Sequence, residues 1–211
     1  MITREDIIEW LQAIACVFAE NEQYLTELDS PIGDADHGAN MTRGFQRVAQ
    51  KIPSYADQPI HGILRDVGMT LITTIGGSSG PLYGTFFLDA SIATHGRTAL
   101  SLGLVSAMFE RGLLGVARMG HASLQDKTMI DTLTPAVEAL KAAAIEQGDL
   151  SAALYCAVIA AEQGMKATVP LQARKGRASY LRERSIGHQD PGATSTYLLI
   201  KVAYDTWNKH T

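Results

Sequence analysis

Three aspartates fall within eight residues near the start of the chain. They are Asp29, Asp34 and Asp36, in Leu28-Asp29-Ser30-Pro31-Ile32-Gly33-Asp34-Ala35-Asp36-His37-Gly38-Ala39-Asn40. At those offsets they cannot share one helix face, but Pro31, Gly33 and Gly38 can bend a loop that turns all three inward. Gathered carboxylates repel one another unless a cation compensates. Hard oxygen donors favour magnesium or calcium over zinc. A calcium loop fails on detail, because Asp34-x-Asp36-x-Gly38 lacks the third acidic or amide position and Phe45 stands where the closing glutamate belongs. Magnesium takes a few carboxylates and completes its shell with water and phosphate. The competing reading is a solvated turn whose aspartates cap the next helix.

Two further segments carry chemistry. Thr73-Thr74-Ile75-Gly76-Gly77-Ser78-Ser79-Gly80-Pro81-Leu82-Tyr83-Gly84 offers exposed backbone N–H groups and hydroxyls just before a helix start, where Pro81 fits a first turn. Such a start binds anions, and a tight turn between packed helices explains the same residues. It is neither a Walker loop nor a dinucleotide fingerprint, because no Gly-Lys-Ser/Thr and no preceding strand accompany it. The stretch from Arg174 to Arg184 concentrates five of the 18 basic residues. One arginine facing the aspartate loop would complete a phosphate cage, although spacing does not choose which. His37 and His188 lie in these unusual segments, while His61, His95, His121 and His210 read as surface or edge residues.

Helices must position these groups. Thr3 with Asp6 caps a first helix whose stripe Ile7, Leu11, Ile14, Phe18 runs to about residue 22. Further stripes are Met41–Ile52, Ile60–Leu71, Leu82–Ala90, Leu102–Val116, Ile130–Ala144 and Leu150–Met165. The sixth contains Pro135, either in its first turn or as a kink, and the seventh follows an Asp149 cap. The last helix, roughly 192–208, is apolar on nearly every side and reads as central. Strand signals are scarce. Eight helices with mostly short connections give an all-α antiparallel bundle or barrel. Asp29–Asn40 and Thr168–Gly192 carry no stripe and read as functional loops.

Bulk composition narrows the classes. The chain has 211 residues, 46% of them hydrophobic, and a net charge of −4, which disfavours nucleic-acid binding by bulk charge. No apolar run approaches the ~20 residues that span a bilayer, so no membrane and a cytoplasmic location are expected. Cys16 and Cys156 show no metal spacing and read as small buried hydrophobes.

Gly33-Asp34-Ala35-Asp36-His37-Gly38-x-Asn40-Met41, Gly77-Ser78-Ser79-Gly80-Pro81-Leu82, Asp126-Lys127-Thr128-Met129 and Gly176-Arg177-Ala178-Ser179-Tyr180 through Asp190-Pro191-Gly192-Ala193-Thr194-Ser195 together resemble the L subunit of bacterial dihydroxyacetone kinase. The resemblance covers essentially the whole chain. It implies a single-domain barrel of eight amphipathic helices over residues 1–211, with a tightly bound ADP at one end. By matching position, Asp29, Asp34 and Asp36 would hold two magnesium ions. Nucleotide contacts would come from His37, Gly38, Ala39, Asn40, Ser78, Ser79, Gly120, Met129, Arg177, Asp190, Pro191 and Gly192. Three carboxylates against two Mg²⁺ leave about +1, a pocket that wants an anion. Arg177 is expected to stabilise charge on the transferred group.

The implied partners are a K subunit that binds dihydroxyacetone and an M subunit that rephosphorylates the ADP from phosphoenolpyruvate. A homodimer stays open. Two other readings compete: an L-type domain with exchangeable ATP, and a non-catalytic module whose ADP-loaded state signals to a regulator.

Overall fold

The computed structural model describes residues 1–208. A two-residue strand β1 (Ile2–Thr3) pairs antiparallel with β2 (Ala99–Leu100), and the other elements are helical. They are α1 (Arg4–Glu20), α2 (Glu22–Asp29), α3 (His37–Lys51), α4 (Ile60–Thr74), α5 (Ser79–Ala93), α6 (Leu102–Gly120), α7 (Met129–Ile145), α8 (Leu150–Ala167) and α9 (Pro191–Trp207). Short 3-10 segments cover Ile52–Tyr55 and Arg177–Ser185. The protein is thus mainly α. Among the described residues, no helix is long and apolar enough to cross a membrane.

Local chemistry sets the helix starts. Thr3 and Asp6 form the expected capping box, with Thr3 N–H donating to Asp6 Oδ2 at 2.7 Å. Thr128 and Asp131 repeat it at α7, where Thr128 N–H donates to Asp131 Oδ2 at 2.8 Å. Asp149 accepts from Ala152 N–H at 2.9 Å to start α8, and Asp190 accepts from Ala193 N–H at 2.7 Å to start α9. These side-chain oxygens satisfy first-turn donors that lack intrahelical partners.

Each long helix then packs on the next. α1 meets α3, and contacts run onward through α4, α5, α6, α7, α8 and α9, which returns to α1. Aromatic rings fill the space between them: Trp10 lies 5.0 Å from Trp207 and 5.8 Å from Phe87, and Phe18 lies 5.0 Å from Phe45. Both indoles find acceptors, Trp10 at the Leu199 carbonyl and Trp207 at the Asp6 carbonyl, as buried Trp N–H groups require.

Three expectations need correction. Nine α-helices, not eight, occupy the described residues, because Asn21 separates α1 from α2. α2 buries only Leu25 and Asp29, so it has no stripe to betray it. Cys16 and Cys156 are exposed. Each stands two residues past a core position, Ile14 or Leu154, which is roughly 200° round the helix and therefore outward. Of the two positions left open for Pro135, the structure takes the interior of α7, past its first turn. α9 is not central: it packs on α1, α7 and α8 yet keeps an outer face, where Lys201 pairs with exposed Asp205 at 2.5 Å. His61 is half-buried against exposed His95, and His121 is exposed; His210 lies outside the described residues.

Candidate functional site

A cavity of about 430 Å³ opens at one end of the helices, lined by the first turns of α3, α5, α7 and α9 and by the C-terminal end of α6 from Val116 to Gly120. Four helix starts therefore present N–H groups and positive dipole ends to one space.

The acidic side of the cavity is built around Asp29. Its carboxylate Oδ2 accepts from the backbone N–H of Asp36 at 3.0 Å and of His37 at 3.3 Å, drawing the end of α2 to the start of α3. Gly33 crosses so closely that a Cβ there would overlap the Asp29 carboxylate. Ala35 adopts φ +58°, a left-handed conformation that a non-glycine residue holds only under constraint. The result brings one carboxylate oxygen each of Asp29, Asp34 and Asp36 within 4.8 Å of one another. Asp29 is buried, whereas Asp34 and Asp36 are exposed. Three hard oxygen donors with an open side fit a magnesium-type ion that completes its shell elsewhere. The chain's own counter-charge is Arg177, whose Nη2 stands 2.8 Å from Asp34 Oδ2.

Opposite the aspartates lies the Gly76–Ser79 turn. His37 bridges the two sides, with Nε2 2.9 Å from Ser195 Oγ and Nδ1 3.3 Å from Ser79 Oγ. Burial pushes its imidazole below its ordinary pKa, while the Asp29 and Asp36 carboxylates pull the other way. Tyr83 closes this network through its hydroxyl, 2.7 Å from Ser195 Oγ and 2.9 Å from Thr196 Oγ1. Arg43 donates to Asn40 Oδ1 and to the Thr74 carbonyl, tying α3 to the end of α4. Leu82, Val116, Met119, Ala122, Met129 and Ile130 give the cavity an apolar wall suited to a flat ring.

Nearly all of the residues expected from sequence converge here. Asp29, Asp34, Asp36, His37, Asn40, Ser78, Ser79, Gly120, Met129, Arg177, Asp190, Pro191 and Gly192 line the cavity. Gly38 and Ala39 do not line it, although they sit in the first turn of α3. Gly38 faces α2 instead, where an added Cβ would overlap the Glu22 carbonyl oxygen and stand 2.5 Å from Thr26 Oγ1. Gly38→Ala should therefore destabilise the fold by about 1–3 kcal/mol through overpacking. A thermal melt reads this directly, at roughly 2–4 °C per kcal/mol for a chain of this size. An unchanged melting temperature would show that α2 can move aside freely.

Lys127, Tyr83 and Ser195 stand within the motifs read from sequence, but no role was assigned to them there. Lys127 is a cavity-lining lysine only 1% exposed. A clue existed, since it directly precedes the Thr128-x-x-Asp131 capping box. Burial pulls its ammonium below the usual lysine range, against the Asp190 and Asp131 carboxylates.

Asp190 shows the opposite effect. Burial pushes its carboxyl from 3.8 up to about 7, although Ala193 N–H and Lys127 favour the charged form. A carboxyl whose folded value is raised stabilises the fold fully below the unfolded value, and that contribution is lost as pH rises through the folded one. The metal- and nucleotide-free protein should thus gain clearly more melting temperature from Asp190→Asn at about pH 8.5 than at about pH 5.5, where part of the contribution is still retained. Asparagine keeps an acceptor for the α9 cap. An equal gain at both pH values would sink this account of Asp190.

Known proteins resemble the chain in the same terms. Residues 31–205 match the DAK2 domain. The chain is 47% identical over 201 residues to the PEP-dependent dihydroxyacetone kinase, ADP-binding subunit DhaL, of Escherichia coli (strain K12), covering 95% of this chain and 96% of that protein. A Listeria innocua DhaL is 40% identical, with 94% of each chain covered. Among solved structures, the native dihydroxyacetone kinase of C. freundii superposes with a TM-score of 0.73 at 23% identity, over 97% of this chain and 35% of that one. The same kinase in complex with AMP-PNP and Mg²⁺ gives a TM-score of 0.71 at 25% identity, over 94% and 33%. From these matches, the chain belongs to the DAK2-domain family, alongside the DhaL subunits of dihydroxyacetone kinases.

Proposed function

We propose that this chain is the nucleotide-carrying subunit of a phosphoenolpyruvate-dependent dihydroxyacetone kinase. In this reading it holds ADP tightly, receives a phosphoryl group from an M-type donor subunit and releases it to dihydroxyacetone on a K-type subunit. The observation that carries the reading is the meeting of four helix starts with three carboxylates around one cavity. Anion-seeking N–H groups and cation-seeking oxygens in one space match a metal-bound di- or triphosphate and little else.

Asp29, Asp34 and Asp36 would hold two magnesium ions. When bound, magnesium neutralises phosphate charge and thereby favours in-line phosphoryl transfer. Ser78, Ser79 and the first turns of α3 and α5 bind phosphate oxygens, with Gly38 and Ala39 contributing backbone N–H groups rather than lining side chains. His37 acts here as a positioning group held between two hydroxyls, and burial favours its neutral form. The apolar wall with Gly120 and Met129 takes the base, and Asp190, Pro191 and Gly192 border it from α9. Arg177 places an exposed guanidinium at the phosphate end, where charge develops during transfer. We read the eight long helices, each seated on the next and the last on the first, as one domain forming a closed antiparallel barrel.

Two measurements test the proposal. The freshly purified protein should carry ADP and magnesium through desalting; labelled ATP that fails to displace the ADP favours permanent retention over exchange. Mixed with K and M subunits and phosphoenolpyruvate, it should yield dihydroxyacetone phosphate. Retained ADP with no product under those conditions would convert the reading to a signalling module.

A further inference from the structure

We infer that Lys127 is a positioning residue that ties together both ends of the Thr168–Asp190 loop and so holds Arg177 over the aspartates. Its Nζ donates to the Thr168 carbonyl at 2.7 Å and reaches the Val169 carbonyl at 3.5 Å. The same Nζ donates to the His188 carbonyl, from the far end of the loop. One ammonium thus bonds backbone on both strands of the loop's base.

Other contacts surround this knot. Gly187 N–H donates to the Val169 carbonyl at 2.8 Å, and Asp190 N–H donates to Thr168 Oγ1 at 3.1 Å. Above them, Ala173 N–H donates to the buried Ser185 hydroxyl at 2.8 Å. Beyond Ser185 the tip is open: Arg174, Arg177, Arg182 and Arg184 are exposed. Arg177 reaches the site by an ion pair that is 66% exposed on its own side, too wet to hold a loop by itself. The position of Arg177 is therefore decided at the base, not at the tip.

Backbone geometry supports the same role. Lys127 adopts φ +62° and Gln125 φ +69°, left-handed conformations that neither residue type favours. A lysine is kept in that conformation, 1% exposed, because three carbonyls satisfy the three donors of its ammonium. Next to it, Arg174 N–H donates to the Asp126 carbonyl at 3.0 Å, so the 126–128 segment grips the loop at two points.

Lys127→Met keeps the length and removes the donors. Without nucleotide or metal, trypsin should cut the variant within residues 174–184 about tenfold faster or more, while other sites keep their wild-type rates. Cleavage is mapped by mass, and circular dichroism verifies that the helices persist. Equal cleavage rates at 174–184, or acceleration spread over the whole chain, would overturn the inference. Should Lys127→Met fail to fold, Lys127→Gln retains an amide donor and should give an intermediate rate; a folded Lys127→Gln that cleaves like the wild type overturns it equally.

A second readout rests on the proposed function and separates positioning from mere stabilisation. Arg177→Gln should lower turnover strongly in the wild-type background and scarcely further in the Lys127→Met background. Additive losses would show that Arg177 finds its place without Lys127. If the wild-type protein holds no ADP and magnesium at all, the functional reading fails, yet the nucleotide-free cleavage comparison still decides the role of Lys127.

Discussion

Asp34→Ala should abolish magnesium-dependent nucleotide retention while leaving the helices intact. The two halves of that outcome have separate causes. Asp34 stands exposed in the α2–α3 loop, and its ion pair is with Arg177, itself mostly in solvent. A surface pair of this kind contributes about 0–1 kcal/mol, so the fold should barely register the change. For the cation, the loss is one of three clustered oxygens. Affinity for magnesium with ADP should fall on the order of 100-fold, or about 2.7 kcal/mol. Measuring bound ADP after desalting, with circular dichroism alongside, checks both halves. Excess chelator on the wild-type protein should mimic the variant. An unchanged ADP content in Asp34→Ala would remove the aspartate cluster from the site.

Arg177→Gln should lower dihydroxyacetone phosphate formation on the order of 10²–10³-fold, corresponding to about 2.7–4 kcal/mol of transition-state stabilisation. The motive is its place: the guanidinium touches the acidic cluster across the cavity mouth while remaining exposed enough to reorient. Glutamine keeps hydrogen-bonding ability but not charge, so the substitution isolates the electrostatic contribution. Melting temperature should stay near the wild-type value. Arg177→Lys should recover part of the rate, since an ammonium supplies charge without the fork geometry. Turnover of Arg177→Gln within a few-fold of the wild type would leave the developing charge to other groups.

Much of this protein was legible from local pattern. Stripes such as Ile7, Leu11, Ile14, Phe18 and caps such as Thr3–Asp6 and Asp149 depend on neighbours a few residues apart, and they located the long helices. The aspartate triad was equally legible, because Gly33, Ala35 and the Asp29 carboxylate make the loop's geometry from one short segment. α2 was missed because a helix that buries little leaves no periodic trace. The cysteines were misplaced because an apolar neighbourhood does not say which way one side chain points.

Long-range contact decided the rest. That α3, α5, α7 and α9 begin at one cavity follows from how the helices pack around Trp10, Phe87 and Trp207, not from any single segment. The choice of Arg177 among the basic residues of its loop, the seating of His37 between Ser79 and Ser195, and the burial of Lys127 beneath three carbonyls join residues up to 158 positions apart. Amino-acid order alone determined which groups were available and which helices would carry them. Only the packing of those helices decided which groups meet, because desolvation and charge act across space and take no account of distance along the chain.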